Sequence, residues 1–240
     1  PIKVLLKCIF IYPRNIRFSV SEQTDGKHIE SFSICQYTLP FRDGWYSYSA
    51  VSGFVFDFVS EGMSMTSLAN KVAVVTGGGR GLGLAFSTAL AEAGASVLIC
   101  DNGSAPDGSG CNPQVAEDAA ANLRRSGLRA VALCCDISGS DGARTVVEKT
   151  LVEFGRIDIL INNAGFLRDK TALKMGDEDF DAVVEVHLKA AFRLSREVGR
   201  VFKEQASGGR IVNITSLAGL IGNFGQSNYG SAKAAVAALT

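Results

Sequence analysis

The sequence has only five prolines, one tryptophan and two histidines, and its 24 basic residues balance its 24 acidic ones. A net charge of zero gives no electrostatic reason to expect nucleic acid or an anionic membrane surface as a partner. The longest apolar runs, residues 5–12 and 51–59, are too short to cross a bilayer. No signal-peptide pattern and no internal repeat is visible. We therefore expect an intracellular, cytoplasmic protein with no membrane partner.

Metal-ligand spacing is also missing among the six cysteines, so the sequence predicts no metal site. Cys134 and Cys135 are adjacent within an apolar run. This placement predicts buried free thiols in a reducing compartment.

Composition changes abruptly near Met63. Before Met63 lie 12 of the 20 aromatic residues but only 4 of the 26 glycines, and after it there is a single tyrosine, Tyr229. The first segment shows no sustained strand or helix periodicity. We interpret residues 1–62 as a leader of upstream sequence that is not part of the fold, and residues 63–240 as one domain. A genuine extension that docks onto the domain is the alternative.

From residue 71 onward, apolar runs alternate between strand and helix patterns. We predict strands at 71–76, 96–101, 130–136, 157–162 and 210–215, and helices at 81–93, 113–126, 140–154, 177–205 and from Tyr229 onward. This alternation predicts an α/β fold with a doubly wound, Rossmann-type parallel sheet. Because Thr240 falls inside the last helix without a stop signal, we expect the domain to be truncated at its C-terminus.

A glycine-rich segment, residues 76–83, follows the first predicted strand and opens a helix, which is the context of a dinucleotide loop. Gly77, Gly81 and Gly83 allow a tight turn, close approach of a pyrophosphate and close helix packing. Asp101 ends the second strand, where it would accept hydrogen bonds from ribose hydroxyls and repel a 2′-phosphate, favouring NAD over NADP. Alternatively Asp101 only opens the following loop, and Arg80 could itself bind a phosphate.

Tyr229 and Lys233 lie four residues apart and therefore share one helix face. The pKa of a phenol is about 10, and lowering it towards neutrality requires roughly 4 kcal/mol. The ammonium of Lys233 and a cationic nicotinamide could supply this energy. Ser216, at the end of the preceding strand, can hydrogen-bond the oxygen whose proton Tyr229 exchanges. Since Tyr-x-x-x-Lys also occurs by chance, the pair gains weight only from the other motifs.

Together these motifs resemble the short-chain dehydrogenase/reductase family. The matching segments are Thr76-Gly-Gly-Gly-Arg-Gly-Leu-Gly83, Asp136-Ile137, Asn162-Asn-Ala-Gly165, and Ser216 with Tyr229 and Lys233. The resemblance covers nearly all of the chain after the leader. It implies a seven-stranded sheet of which five strands are present.

The resemblance also implies roles for individual residues. Gly77, Arg80, Gly81, Leu82 and Gly83 would form the cofactor loop, Asp136 and Ile137 would flank the adenine, and Asn163, Ala164 and Gly165 would lie along the nicotinamide side. Tyr229 would be the acid/base, Lys233 would bind the ribose and lower the pKa of the tyrosine, and Ser216 would orient the substrate.

His187 departs from the pattern of many members, which carry an asparagine there that completes a proton relay through water. A lone helical histidine is more often structural. However, the branch that resembles the hydroxyacyl-CoA dehydrogenase part of peroxisomal multifunctional enzymes commonly has Val-His-Leu, as here at 186–188. An imidazole could hold a relay water.

We therefore expect an NAD-dependent oxidoreductase for a secondary alcohol or ketone, with an acyl thioester of the 3-hydroxyacyl-CoA type as substrate. The alternatives are an NADPH-dependent 3-oxoacyl-(acyl carrier protein) reductase and a nucleotide-binding fragment without activity. The resemblance further implies a homo-oligomer for the full-length protein and makes a peroxisomal location an alternative to the cytoplasm.

Overall fold

A computed structural model describes residues 67–205 and 207–240, together with four strands nearer the N-terminus. The strands are β1 (Lys3–Ile9), β2 (His28–Gln36), β3 (Pro40–Phe41), β4 (Gly44–Trp45), β5 (Val72–Thr76), β6 (Ser96–Cys100), β7 (Ala130–Leu133), β8 (Ile159–Asn162) and β9 (Gly209–Ser216). The helices are α1 (Gly81–Glu92), α2 (Gln114–Arg125), α3 (Gly142–Phe154), α4 (Asp177–Val184), α5 (Ala190–Gln205), α6 (Ala218–Ile221) and α7 (Ser227–Leu239), with a π-helical turn (Glu185–Lys189) between α4 and α5.

Five strands form a parallel sheet in the order β7-β6-β5-β8-β9. The strand order reverses between β5 and β8, which is the switch point of a doubly wound sheet. The predicted Rossmann-type fold is therefore confirmed. The largest boundary difference is at β7, which ends at Leu133 instead of continuing to 136, while other boundaries differ by one or two residues. The helix predicted over 177–205 is also interrupted by the π-helical turn.

The two faces of the sheet pack against different helices because successive side chains of a strand point to opposite sides. Val74 and Leu160 pack with residues of α3 and α5, whereas Val75 and Ile161 pack with residues of α1 and α2. All of these side chains are buried. Because the five strands are parallel, their carboxyl ends lie along one edge of the sheet, where the glycine loop, Asp101 and Ser216 are placed.

Beyond β9 the sheet continues with β2 and then β1, both parallel to their neighbours. β2 pairs with β9 from Ile29 opposite Gly209 to Gln36 opposite Ser216. In the Rossmann strand order this edge belongs to a sixth strand. Our interpretation of residues 1–62 as a leader stays a prediction.

The cysteines correct one expectation. Cys134 is exposed and Cys135 is half-buried, although the sequence predicted two buried thiols. β7 is the outermost strand on its side and ends at Leu133, so the two cysteines lie past its end. In the part of the chain that the structure describes, no helix is long and apolar enough to cross a membrane.

Candidate active site

The glycine loop between β5 and α1 adopts a backbone conformation that favours glycine at two points. Gly77 and Gly81 have positive φ angles of 61° and 53°. A Cβ on Gly83 would lie 1.9 Å from the carbonyl oxygen of Gly77, so the first turn of α1 packs directly on the loop backbone. The loop therefore brings the N-terminus of α1 to the sheet edge, where its free N–H groups can face an anion.

Asn163 and Thr76 fasten this loop to the end of β8. The Asn163 Nδ2 donates to the carbonyl oxygens of Thr76, at 3.0 Å, and Gly77, at 3.2 Å. The buried Thr76 Oγ1 accepts hydrogen bonds from the backbone N–H groups of Asn163 and Ala164. The side chain of Asn163 thus holds the glycine loop. Thr76 was not among the predicted site residues, although a hydroxyl ending an apolar strand is a signal for such a role.

Asp101 is buried at the end of β6 and uses both carboxylate oxygens. Its Oδ2 accepts a hydrogen bond from the N–H of Gly79 at 2.9 Å, and its Oδ1 accepts one from the N–H of Gly103 at 2.8 Å. Arg80 is exposed, and its Nη2 donates to the carbonyl oxygen of Ser104 at 2.6 Å. Asp101 therefore fixes the start of the following loop, which was the alternative interpretation of this residue. It also lines the large cavity described next, as a residue that binds the ribose of a dinucleotide would.

A cavity of about 530 Å³ lies above the carboxyl ends of β5, β6 and β7. This volume is in the range of cofactor sites, about 300 to 1,000 Å³. Every predicted cofactor-binding residue except Tyr229 and Lys233 lines it: Gly77, Arg80, Gly81, Leu82, Gly83, Asp101, Asp136, Ile137, Asn163, Ala164 and Gly165. The glycine loop, the helix N-terminus and the cavity volume fit a dinucleotide.

Residues 102–112, here called the bridge loop, cross the cavity and were not predicted as part of the site. The N–H of Leu167 donates to the carbonyl oxygen of Pro106 at 3.2 Å, and the Nε of Arg168 donates to that of Asp107 at 2.9 Å. Gly108 packs so closely on the ring of Phe166 that a Cβ would lie 2.7 Å from it. Both the bridge loop and the segment after β8 line the cavity.

The predicted catalytic residues form a second, buried cluster. Ser216 ends β9, and Tyr229 and Lys233 lie in the first two turns of α7; all three are less than a tenth exposed. The Lys233 Nζ lies 5.6 Å from the centroid of the Tyr229 ring and donates to the carbonyl oxygen of Ile214 at 2.6 Å. The Thr215 Oγ1 donates to the carbonyl oxygen of Lys233 at 2.7 Å, which fixes α7 against β9.

Asn228, which the sequence analysis missed, anchors the start of α7. It is fully buried, and its Nδ2 donates to the carbonyl oxygens of Arg168 and Asp179. Its Oδ1 accepts the N–H of Tyr229 at 2.7 Å. The position of Tyr229 is therefore coupled to the segment that also meets the bridge loop.

His187 joins this cluster through the π-helical turn, an irregularity often found at functional sites. Its ring meets that of Tyr229 edge-on at a centroid distance of 5.2 Å. Its Nε2 lies 3.2 Å from the backbone nitrogen and 2.9 Å from the carbonyl oxygen of Phe166. Burial, reinforced by the charge of Lys233, lowers the pKa of His187 to about 3, so the imidazole is neutral at physiological pH.

A small cavity of about 10 Å³ separates His187 from Lys233 and the end of β8. Two buried side-chain polar atoms in the described part of the chain have no hydrogen-bond partner, the Nδ1 of His187 and the Oδ1 of Asn162. Both residues line this cavity. The cavity is at the lower limit for one water molecule. The other polar group of Asn162, its Nδ2, donates to the Asn213 Oδ1 at 2.7 Å.

Comparisons with known proteins show which proteins this chain resembles. The family model described as short chain dehydrogenase matches residues 71–240. The chain is 41% identical over 182 residues to a hydroxyacyl-CoA dehydrogenase of Mycobacterium tuberculosis, covering 73% of this chain and 56% of that protein. It is 40% identical over 169 residues to the mouse peroxisomal multifunctional enzyme type 2, covering 70% of this chain and 22% of that enzyme.

A 3-oxoacyl-[acyl-carrier-protein] reductase of Synechocystis is 40% identical over 176 residues, which cover 73% of this chain and 68% of the reductase. Among solved structures, an NAD+-bound xylitol dehydrogenase matches with a TM-score of 0.66 and 32% identity, over 73% of this chain and 64% of that one. The chain thus spans little more than half of the mycobacterial dehydrogenase and about a fifth of the mouse enzyme.

Proposed function

Since this chain belongs to the short-chain dehydrogenase family, whose members are NAD(P)-dependent oxidoreductases, we propose that it serves hydride transfer between NAD and a secondary alcohol or ketone of the 3-hydroxyacyl-CoA type. The observation that carries the proposal is the buried cluster of Ser216, Tyr229 and Lys233 beside a cavity bounded by a dinucleotide loop. Bound NAD would supply the hydride acceptor or donor.

Proton transfer falls to this chain's own residues. In alcohol oxidation, Tyr229 accepts the hydroxyl proton as a phenolate, and in ketone reduction it returns a proton to the oxygen. The Lys233 ammonium, 5.6 Å from the ring centroid, stabilises the phenolate. Ser216 donates to or accepts from the substrate oxygen and so orients it.

His187 and Asn162 extend this arrangement inward. A water molecule in the small cavity could bond the orphaned Nδ1 of His187 and Oδ1 of Asn162, both of which require a partner when buried. Lys233 lines the same cavity, so such a water would connect it to His187. We propose His187 as the residue that holds a relay water rather than as the acid/base itself, because a group with a pKa of about 3 rarely carries a proton at neutral pH.

An NADPH-dependent 3-oxoacyl-(acyl carrier protein) reductase is the second candidate. Arg80 at the cavity and the Synechocystis relative favour it, whereas Asp101 opposes a 2′-phosphate.

Two separate assays decide between the two candidates. The first is a fluorescence titration with NADH and with NADPH. The second compares hydride transfer from 3-hydroxybutyryl-CoA to NAD with the reduction of acetoacetyl-(acyl carrier protein) by NADPH. Tight NADPH binding with activity only on the carrier-protein substrate would overturn our proposal. Binding without turnover on either substrate would identify a nucleotide-binding module.

Assembly and location are further proposals. The family resemblance leads us to propose a homo-oligomer, which sedimentation analysis of the full-length protein would test. A cytoplasmic location, with the peroxisome suggested by the name of the mouse relative, would be tested by imaging a tagged protein.

A further inference from the structure

Two exposed thiols meet at the base of the bridge loop. The Sγ atoms of Cys111 and Cys134 are 3.6 Å apart, and both residues are exposed. Cys111 is the second-to-last residue of the bridge loop, and Cys134 directly follows β7. The contact therefore joins a loop that lines the cavity to the outermost strand of the sheet. Since a disulfide needs a separation of about 2 Å, only a small movement of the loop would bring the sulfurs into bonding distance.

The geometry points to a modification site, and we propose that Cys111 and Cys134 are a dithiol pair that a small disulfide such as oxidised glutathione converts into an intramolecular disulfide, which fastens the bridge loop to β7. This proposal does not depend on the identity of the substrate. Such reversible pairs are the form in which disulfides usually occur in reducing compartments.

The reaction proceeds in two exchange steps. The thiolate of Cys111 attacks one sulfur of oxidised glutathione, forming a mixed disulfide and releasing one glutathione thiolate, which takes up a proton from water. The Cys134 thiol loses its proton to solvent and its sulfur attacks the Sγ of Cys111, releasing the second glutathione. Two protein thiols are oxidised, and one oxidised glutathione is reduced to two thiols.

The neighbouring cysteines explain why this pair is favoured. Desolvation and the contact with Cys111 raise the pKa of the Cys134 thiol. Cys111 is exposed, so the first exchange step is assigned to it on the ground of access. Cys135 is half-buried and its Sγ contacts the carbonyl oxygen of Asp136, and Cys100 is buried. A small disulfide can therefore reach Cys111 without unfolding of the domain.

Fastening the loop has a structural consequence, because residues of the bridge loop line the large cavity. The loop is closed at its base by the N–H of Asn112, which donates to the carbonyl oxygen of Asn102 at 2.8 Å. A covalent bond from Cys111 to β7 would hold that base against the sheet and reduce local opening of residues 102–112.

The test treats the whole chain with oxidised glutathione and maps disulfides by mass spectrometry, with Cys111→Ser and Cys134→Ser as variants and Cys135→Ser as the matched control. We expect a mass loss of two hydrogen atoms and a linked peptide pair in the wild type and in Cys135→Ser, reversed by dithiothreitol and absent from the other two. Linkage through Cys135, or free Cys111 and Cys134 after treatment, would overturn the pairing.

Hydrogen exchange then tests the fastening. Amides of residues 102–112 should exchange more slowly in the oxidised protein than in the reduced one, and glutathione treatment of Cys111→Ser should not slow them. If the disulfide forms but exchange in the loop is unchanged, the pair is an oxidation site that does not fasten the loop.

Discussion

The cofactor cavity and the catalytic cluster are built in different ways. The cavity depends on backbone: positive φ angles at Gly77 and Gly81, contact of Gly83 with the loop, and peptide groups that bond Asp101 and Asn163. The catalytic cluster depends on side chains delivered by separate elements, β9, α7 and the π-helical turn, and packed until less than a tenth of each is exposed. A substitution in the cavity should therefore impair cofactor binding through a steric clash with the backbone. A substitution in the catalytic cluster should instead impair turnover by removing a reacting group.

Removing the phenolic oxygen should have the largest effect. Tyr229→Phe keeps the ring that packs edge-on against His187, so we expect NADH affinity and folding to survive. Turnover should fall by about 10² to 10⁴, because no positioned group then exchanges the proton. Steady-state rates together with a NADH titration measure both effects. A variant with near-normal turnover would show that Tyr229 is structural.

Gly83→Ala should impair cofactor binding and folding, which Tyr229→Phe is expected to preserve, because it changes the glycine loop and leaves the catalytic side chains intact. The added methyl would meet the carbonyl oxygen of Gly77 at 1.9 Å, so the loop must shift. We expect a loss of about 3 kcal/mol in the free energy of unfolding and a loss of dinucleotide binding. Gly199→Ala in α5 is the matched control, because its Cβ would meet nothing within 4 Å, and it should stabilise by about 0.5 to 1 kcal/mol. Equal effects of both variants on denaturation would contradict the steric account.

The sequence predicted the residues of both regions but not the contacts between segments that are distant along the chain. Positive φ angles and a helix N-terminus are properties of contiguous residues, so the glycine pattern alone located the loop. The contact of Arg168 with Asp107, 61 residues away, and the π-helical turn depend on how elements pack. Cys134 was expected to be buried because its apolar neighbours gave no sign that β7 stops at Leu133.

A pH titration should reveal the burial of His187. Its pKa is lowered to about 3 in the folded protein, compared with about 6.5 in the unfolded chain. Between these two pKa values the unfolded state binds more protons than the folded state. The contribution of the neutral His187 to the free energy of unfolding is therefore fully present above about pH 6.5 and is lost as the pH decreases. We expect a loss of about 2 kcal/mol from pH 7 to pH 5 that His187→Gln removes.

Urea denaturation at several pH values measures this loss, with His28→Gln as the control at the chain's other histidine. The control should retain the loss assigned to His187. Parallel stability curves for the wild type and His187→Gln would show that folding does not lower the pKa of His187.

The preference for NADH over NADPH should depend on Asp101, with a smaller free-energy effect than the changes above. Its carboxylate faces the cavity and would repel a 2′-phosphate, so we expect NADH to bind at least about 10-fold more tightly than NADPH, or about 1.4 kcal/mol. Asp101→Asn keeps an acceptor for one of the two N–H groups that Asp101 bonds, those of Gly79 and Gly103, and should narrow the ratio of the NADPH and NADH dissociation constants. Asp118→Asn, on the exposed side of α2, is the control for net charge. Equal affinities of the wild type for both dinucleotides would contradict the assignment.

Deleting residues 1–62 should have the smallest effect. We propose that this leader is not required by the fold, so NADH affinity and the melting temperature should both stay unchanged. The position of β2 indicates which site its removal would affect. β2 lies beside β9, with Gln36 opposite Ser216, and is separated from the pair β6 and β7 by three strands. If the leader does contribute, its loss should therefore disturb the catalytic cluster before the cofactor cavity. Titration with NADH, thermal melting and turnover of the deleted and complete chains separate these outcomes. A loss of several kcal/mol in the free energy of unfolding would show that the pairing of β2 with β9 contributes to the core, and would contradict the proposal.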